Sequence, residues 1–452
     1  MSEASIDSGG AATPMSRRKL LRYGAALAGV GFACTSDKNG DAENAALRFV
    51  QFYAPGGEVA AQAQWFVDMV DQWNASNRRK IELDYVPVLE YMNGIKLAVS
   101  FASGQAPDLF FILSPGDFLR YYNGGALADL TPYISSEARA DFPASVVASR
   151  MVDGRIFAVP MEVEPMAILY SIEAFEEAGL DESDIPKTWD ELLEIAGKLT
   201  HSKRFGVLFE TTPGYYQDFT WYPFMWQGGG EIQSPDGKSV FESDATIQAL
   251  RFWQDAVAMG VAPSRALGRG AGDVIANLAS GYCAMQSIGV WAVAQMAMAA
   301  PEFPYGVFRL PVPKGGKYVT VGGGWAFVAN ARSEHLDEAG SFIAWALASM
   351  TDDSIGRLAN WCTVAKTNMP PRRSVLEAAR HAYDQGKMGV FSRDIYPGTR
   401  GEPRLPPAAY KIISDAIQAT PLCGGADPTT AAASASRQLD AFFAGYSGAP
   451  IL

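Results

Sequence analysis

Strand-like and helix-like segments alternate from residue 47 to residue 113, and this order constrains the fold more than any other feature of the chain. Leu47 to Tyr53 reads as a short strand, and Glu58 to Asn77 sets Trp65, Phe66, Met69, Val70 and Trp73 on one helical face. Ile81 to Val88 reads as a second strand, Tyr91 to Ser103 as a helix, and Asp108 to Leu113 as a third, fully buried strand. Strands separated by helices predict a parallel sheet with right-handed crossovers, and the aromatic helical face is read as packing on that sheet.

A second alternation starts near Ile168 to Tyr170. It passes through Lys187-Thr188-Trp189-Asp190-Glu191, where Thr188 can cap a helix and Glu191, three residues on, can complete a capping box. Strand-like Phe205 to Phe209, the helix Asp244 to Met259 and strand-like Cys283 to Ile288 follow. No self-similarity appears at a period of about 20–50 residues, which argues against a solenoid or propeller. A chain of 452 residues is long enough for two domains. The reading is an α/β protein of two lobes.

Composition narrows the function. Lys plus Arg number 37 against 49 Asp plus Glu, a net charge of −12, so the basic footprint of a nucleic-acid binder is missing. After residue 34 no apolar run reaches the roughly 18 residues of a membrane span. Val290 to Ala300 comes nearest, and it is short and contains Gln295. The four cysteines, at 34, 283, 362 and 423, form no CxxC pair, and whether Cys283 pairs with Cys362 or Cys423 stays open. His201, His335 and His381 lie far apart, with no HExxH motif. Neither a His-built metal site nor a His-dependent triad is indicated, and no cofactor is expected.

The N-terminus reads as an export address. Ser16-Arg-Arg-Lys-Leu-Leu-Arg22 precedes a weakly apolar stretch from Tyr23 to Ala33 and then Cys34. The paired Arg17 and Arg18 resemble a twin-arginine signal, which carries proteins already folded. Gly31-Phe-Ala-Cys34 resembles a bacterial lipobox, with Gly31 in place of the usual large aliphatic residue. The resemblance implies a signal over 1–33, lipidation of Cys34 and a polar tether over 34–45. The mature body would then sit outside the cell, anchored to the outer face of the cytoplasmic membrane.

Further along, FASGQAPDLF (101–110), GGALADLT (124–131), GRIFAVP (154–160) and PKTWDE (186–191) occur in an order that resembles the family 1 extracellular solute-binding proteins of ABC importers. YGVFRLP (305–311), GGGWAF (322–327) and the helix Ser341 to Met350 continue the similarity, which covers nearly all of residues 46–445. The resemblance implies a type II periplasmic-binding-protein fold, two α/β lobes joined by hinge strands with the ligand cleft between them. The N-terminal lobe is expected from 46–158 with 311–352, and the C-terminal lobe from 159–310 with 353–452. Crossings are expected near Ala158 to Met161, Val307 to Pro311 and Asp352 to Trp361. The implied partners are a carbohydrate ligand and the permease with its ATPase, with the binding protein itself a monomer.

A sugar offers hydroxyls and apolar ring faces, so its cleft should mix aromatic side chains with carboxylates, amides and Arg. By resemblance Glu164 bonds sugar hydroxyls, Asp218 and Trp221 belong to a cleft segment, and Trp291 lies against the sugar. Gly324 and Trp325 match a glycine–aromatic segment of the opposite lobe. Tyr53, Glu90 and Asp117 are further candidates from strand ends of the N-terminal lobe. Arg400 can hold a phosphate through its fork or donate to hydroxyls, which keeps a glycerophosphodiester as the alternative ligand. Maltose-binding relatives place a stacking Trp just before the residue matching Tyr410, where this chain has Ala409. A secreted carbohydrate-active enzyme using Glu162 and Glu164 is the rival from another class, though two carboxylates at i and i+2 are too close along an extended chain to flank a sugar from opposite sides without a kink.

Overall fold

A computed structural model describes residues 45–56, 60–87, 90–91, 95–112, 115–422 and 425–451. Arg17, Arg18, Cys34, the rest of the expected signal and tether through residue 44, and Cys423 lie outside the described residues.

The first sheet grows from three parallel strands, β1 (Leu47–Gln51), β2 (Ile81–Tyr85) and β3 (Leu109–Ile112), with α1 (Ala60–Ser76) and α2 (Ile95–Ala102) on the crossovers. Helix α1 buries Trp65, Phe66, Met69, Val70 and Trp73. The Phe49 ring of β1 meets Phe66 at 6.1 Å and Phe111 at 5.2 Å, both edge-on, the geometry aromatic quadrupoles favour. Helix α3 (Pro115–Asn123) follows β3, and β4 (Val159–Pro160) lies at the end of the same sheet.

The second sheet is organised by β5 (Glu164–Ser171), buried along its whole length. After it come α4 (Trp189–Leu199), β6 (Phe205–Leu208), α5 (Tyr215–Gln227), α6 (Asp244–Ala258), β7 (Cys283–Gly289), α7 (Trp291–Ala299), β8 (Tyr305–Phe308) and β9 (Thr320–Gly323). The capping box at the start of α4 forms between Thr188 and Glu191. Strand β5 pairs antiparallel with β7 on one side. On its other side it meets β8 along one half and β9 at its N-terminal end.

Only Gly324 and Trp325 separate β9 from β10 (Ala326–Ala329), which is antiparallel to β3 and β4 in the first sheet. The return to the first lobe therefore falls at 323–326, not near Val307 to Pro311, and 311–323 stay with the second lobe. The reason is local: β8 is held in the β5 ladder, and Trp189 keeps the next residues there through Nε1–H donation to the Pro311 carbonyl at 3.1 Å.

The expected lobe boundary at residue 353 is corrected as well. After α8 (Leu336–Ile343), helix α9 (Asp352–Asn360) runs into a π turn over Trp361–Ala365. Leu358, Trp361, Cys362, Ala365 and Val375 all pack in the first core, whereas Tyr383, Phe391 and Ile395 pack in the second. β11 (Thr399–Gly401) then runs parallel to β9, and α10 (Pro407–Ile417) and α11 (Pro428–Gly445) close the second lobe. Past α11 the chain reaches α3: Asn123 Nδ2 donates to the Tyr446 hydroxyl at 3.0 Å, and Ala449 N–H donates to Asn123 Oδ1 at 2.9 Å. Cys283 and Cys362 are buried free thiols in different cores.

Candidate functional site

Glu162 and Glu164 flank Val163 where the chain passes from β4 to β5, so an extended backbone turns both to one side. Val163 and Met369 exchange backbone hydrogen bonds of 2.8 and 3.2 Å, which sets the segment 366–369 beside this crossing. Lys366 then bridges the two acids, with Nζ 2.6 Å from Glu162 Oε1 and 2.7 Å from Glu164 Oε1. Its third donor direction meets the Tyr53 hydroxyl at 3.4 Å. Asn368 Nδ2 donates to Glu162 Oε2 at 2.8 Å and to Glu164 Oε1 at 3.3 Å, and Trp361 Nε1 donates to Glu162 Oε2 at 2.7 Å.

Burial works against the Lys366 charge, but the two carboxylates prevail and hold its pKa well above the usual lysine value. Burial raises the Glu164 pKa, and Glu162 beside it adds to the rise while Lys366 opposes it. Burial likewise pushes the Tyr53 phenol up. The two acids differ in what they have left to offer. Glu162 is fully buried with both oxygens bonded. Glu164 Oε2 carries no hydrogen bond among the described residues, so it can accept one from a ligand hydroxyl.

Aromatic groups gather at the same crossing. Val290 N–H donates to the Pro165 carbonyl at 3.0 Å, which places Trp291 at the end of β7 beside Glu164. A Cβ on Gly289 would sit 1.8 Å from the Trp291 ring, so only glycine lets the indole lie over the strand. The half-buried Trp291 ring is 6.0 Å from Tyr216 and 6.4 Å from Phe219. The Tyr216 hydroxyl is buried without a partner among the described residues. From the first lobe Trp325 packs against Phe52 at 4.8 Å, and its backbone N–H donates to Glu162 Oε1 at 3.4 Å. Gly324 has φ +118°, and a Cβ there would meet the Glu162 carbonyl at 2.6 Å; its own carbonyl accepts from Arg150 Nη2 at 2.7 Å.

The structure thus brings together Tyr53, Glu164, Trp291, Gly324 and Trp325. Asp218 and Trp221 are corrections: both are fully buried in the body of the second lobe. Helix α5 turns Tyr216 and Phe219 towards Trp291, and Trp221 packs on Phe241 instead. Asp218 has neither oxygen hydrogen-bonded among the described residues, and burial, with a smaller push from Asp415, holds its carboxyl well above the usual range. Arg400 grips both oxygens of Glu231 at 2.7 and 2.8 Å and lies 4.4 Å over the Trp226 ring. Asp117 pairs with Arg120 at 2.7 Å on α3, and Glu90 is exposed.

Sequence reasoning missed Lys366, Asn368, Tyr216 and Glu402. Glu402 is buried, and its Oε2 accepts from the Tyr215 hydroxyl. Burial pushes the Glu402 carboxyl up to about 8 against the pull of Tyr215 and Arg150. The polar break Lys366-Thr-Asn368 after the apolar turn Trp361–Ala365 was the one visible signal for the first two.

Two layered α/β sheets joined at a crossing, with carboxylate and indole groups gathered there, fit a solute-binding architecture. Residues 56–351 match the bacterial extracellular solute-binding proteins, and the chain belongs to that family. It is 26% identical over 349 residues to an uncharacterized lipoprotein encoded in the oleD 5′ region of Streptomyces antibioticus, covering 75% of this chain and 74% of that one. It is 28% identical over 178 residues to the diacetylchitobiose-binding protein DasA of Streptomyces coelicolor, covering 38% and 39% of the two chains. The cyclic α-maltosyl-1,6-maltose-binding protein of Arthrobacter globiformis shares the fold, with TM-score 0.74, 22% identity and coverage of 88% and 99%. UgpB of Mycobacterium tuberculosis, solved with glycerophosphocholine, shares it with TM-score 0.73, 19% identity and coverage of 89% and 99%.

Lys366→Met should leave two buried carboxylates without their counter-charge and cost about 3–5 kcal/mol, measured by urea unfolding. Adding Glu162→Gln to that variant should recover part of the loss. Glu402 predicts a pH effect of definite sign. Its folded pKa of about 8 exceeds its ordinary value of 4.5, so between these pH values the folded chain keeps a proton that the unfolded chain releases. Its contribution is complete below the lower value and lost as pH rises through the upper one. Glu402→Gln should therefore gain stability relative to wild type on going from pH 5 to pH 8, read from urea midpoints at the two pH values.

Proposed function

We propose that the chain is the substrate-binding subunit of an ABC importer and that it captures a neutral sugar or oligosaccharide at the crossing between its lobes. The observation that carries this reading is the Glu164 Oε2 left without a hydrogen bond among the described residues, at the crossing where Trp325 of the first lobe is bonded to Glu162 and where the Trp291 and Tyr216 rings pack together in the second. Carboxylate and phenol serve sugar hydroxyls, and indole faces serve the apolar side of the ring. A ligand that touches both lobes favours the closed arrangement, because only there are both sets of contacts made, and closure is what a permease can read.

A hydrolytic role for Glu162 and Glu164 is disfavoured because Glu162 has no exposed surface and both of its oxygens are already bonded. The glycerophosphodiester alternative is weakened by Arg400, whose fork is closed on Glu231.

The test is a thermal-shift panel of maltose, maltotriose, diacetylchitobiose, a galacto-oligosaccharide and glycerophosphocholine. A binder at a hundredfold excess over Kd should add about 2.7 kcal/mol of stability. Trp291→Ala and Trp325→Ala should each weaken binding by about 2 kcal/mol or more in calorimetry, with no sugar breakdown detected in the wild-type mixtures. A response to glycerophosphocholine alone would move the assignment to the phosphodiester.

Export through Arg17 and Arg18 and anchoring through a lipid on Cys34 belong to the same proposal, supported by the sequence of residues 16–34. Cys34→Ser should shift the protein from the membrane to the soluble fraction, and retention on the membrane would remove the anchor.

A further inference from the structure

Strand β8 is an edge. Among the described residues it pairs with β5 alone, Tyr305 to Phe308 running against Ser171 to Ile168. Ile172 N–H donates to the Pro304 carbonyl at 3.1 Å, and the alternation of an antiparallel ladder then turns the backbone groups of Gly306 and Phe308 towards β5. Those of Tyr305 and Val307 point the other way, and no hydrogen bond from another segment reaches them among the described residues. Past Pro311 the chain is covered again: Val312 N–H donates to the Lys187 carbonyl, and the Val312 carbonyl accepts from Trp189 N–H, both at 3.1 Å.

The open stretch lines a cavity of about 600 Å³. Its walls come from the two faces of the sheet, Ile185 packing with one core and Val390 with the other. The Val307 and Phe308 side chains are likewise buried in opposite cores, so the strand meets the cavity with its backbone edge. A groove floored by four strand residues, about 13 Å, takes one extended segment. A second copy of this chain would offer the same recessed edge, and two recessed edges cannot meet.

Charge selects among extended segments. Lys187, Arg309 and Lys387 border the cavity against Glu182 and Asp394, a cationic excess on a chain of net charge −12. None of the three cations is in an ion pair among the described residues. Lys387 Nζ stands 4.2 Å from the centre of the Tyr305 ring at one end of the edge, and Arg309 follows Phe308 at the other.

We propose that β8 takes up, as an added strand, an extended segment of a partner protein with a carboxylate near each end. Main-chain hydrogen bonds to Tyr305 and Val307 hold such a segment, and Lys387 and Arg309 recognise its acids. This surface is separate from the Glu164 site and does not rest on the sugar reading.

The test uses the whole chain and a dye-labelled hexapeptide that alternates Thr and Val between two terminal Asp residues, with its ends capped, read by fluorescence anisotropy. A matched peptide with Lys in place of Asp is the comparison. The acidic peptide should bind saturably and more tightly than the basic one, and it should slow backbone hydrogen exchange over 303–309. Lys387→Glu should weaken it roughly tenfold by setting like charges together. Val307→Pro should weaken it roughly fivefold, because it removes an outward N–H that no ladder bond inside the protein uses. Lys387→Glu changes a half-buried side chain at the rim and keeps the test valid if Val307→Pro fails to fold. No saturable binding, equal binding of the two peptides, affinity unchanged in Lys387→Glu, or exchange over 303–309 that the acidic peptide leaves as fast as before would each overturn the proposal and leave β8 an edge kept from pairing by its flanking charges.

Discussion

The ammonium of Lys366, buried between Glu162 and Glu164, is the contact around which the centre of the molecule is arranged. It gathers the strand crossing at 162–164, the turn after α9 and, through Tyr53, the end of β1. Taking three charges out of water is expensive, and such a cluster persists only where geometry and extra hydrogen bonds compensate. Asn368 and Trp361 supply those bonds to Glu162. Glu164 is held by one oxygen, while the other has no hydrogen bond among the described residues, so the same cluster that fixes its position leaves it an acceptor to spare.

The sheets explain why a residue so far along the chain reaches that point. β9 and β10 are nearly continuous in sequence yet pair in different sheets, and the turn at Gly324 packs against the Glu162 backbone. The segment 366–369 is stitched to Val163 by two backbone hydrogen bonds. Each covalent passage between the lobes is therefore braced by chain from elsewhere, and the site inherits its rigidity from that bracing.

The alternation of strands and helices was legible because burial imposes its period directly on the sequence, as in α1 and β3. The passages between lobes were not legible. Thr320 to Ala329 is one largely apolar run, and nothing local marks that its first half pairs with β5 and its second with β3. The misplacement of Asp218 and Trp221 has a related cause: every residue of α5 from Gln217 to Gln227 is buried, so its pattern gives no preferred face. Trp291 was named by family resemblance, and what the structure adds is that its ring overlies the Gly289 backbone, where any Cβ would collide with it. Lys366 was not legible, since a lysine after a helix usually marks solvent.

The segment past α11 has a mechanical side. Tyr446 and Ala449 are bonded to Asn123 of the first lobe, and the Pro450 carbonyl accepts from Arg404 at 2.9 Å, although α11 itself packs in the second core. A rotation that parts the lobes must either break these bonds or draw slack from residues 446–451. At about 0.5–1.5 kcal/mol each, they form a spring in parallel with the hinge. Any parting of the lobes would thus be resisted by residues outside the candidate site, and the stretch from Gly445 to Ala449 would set how far it could go before those bonds were strained.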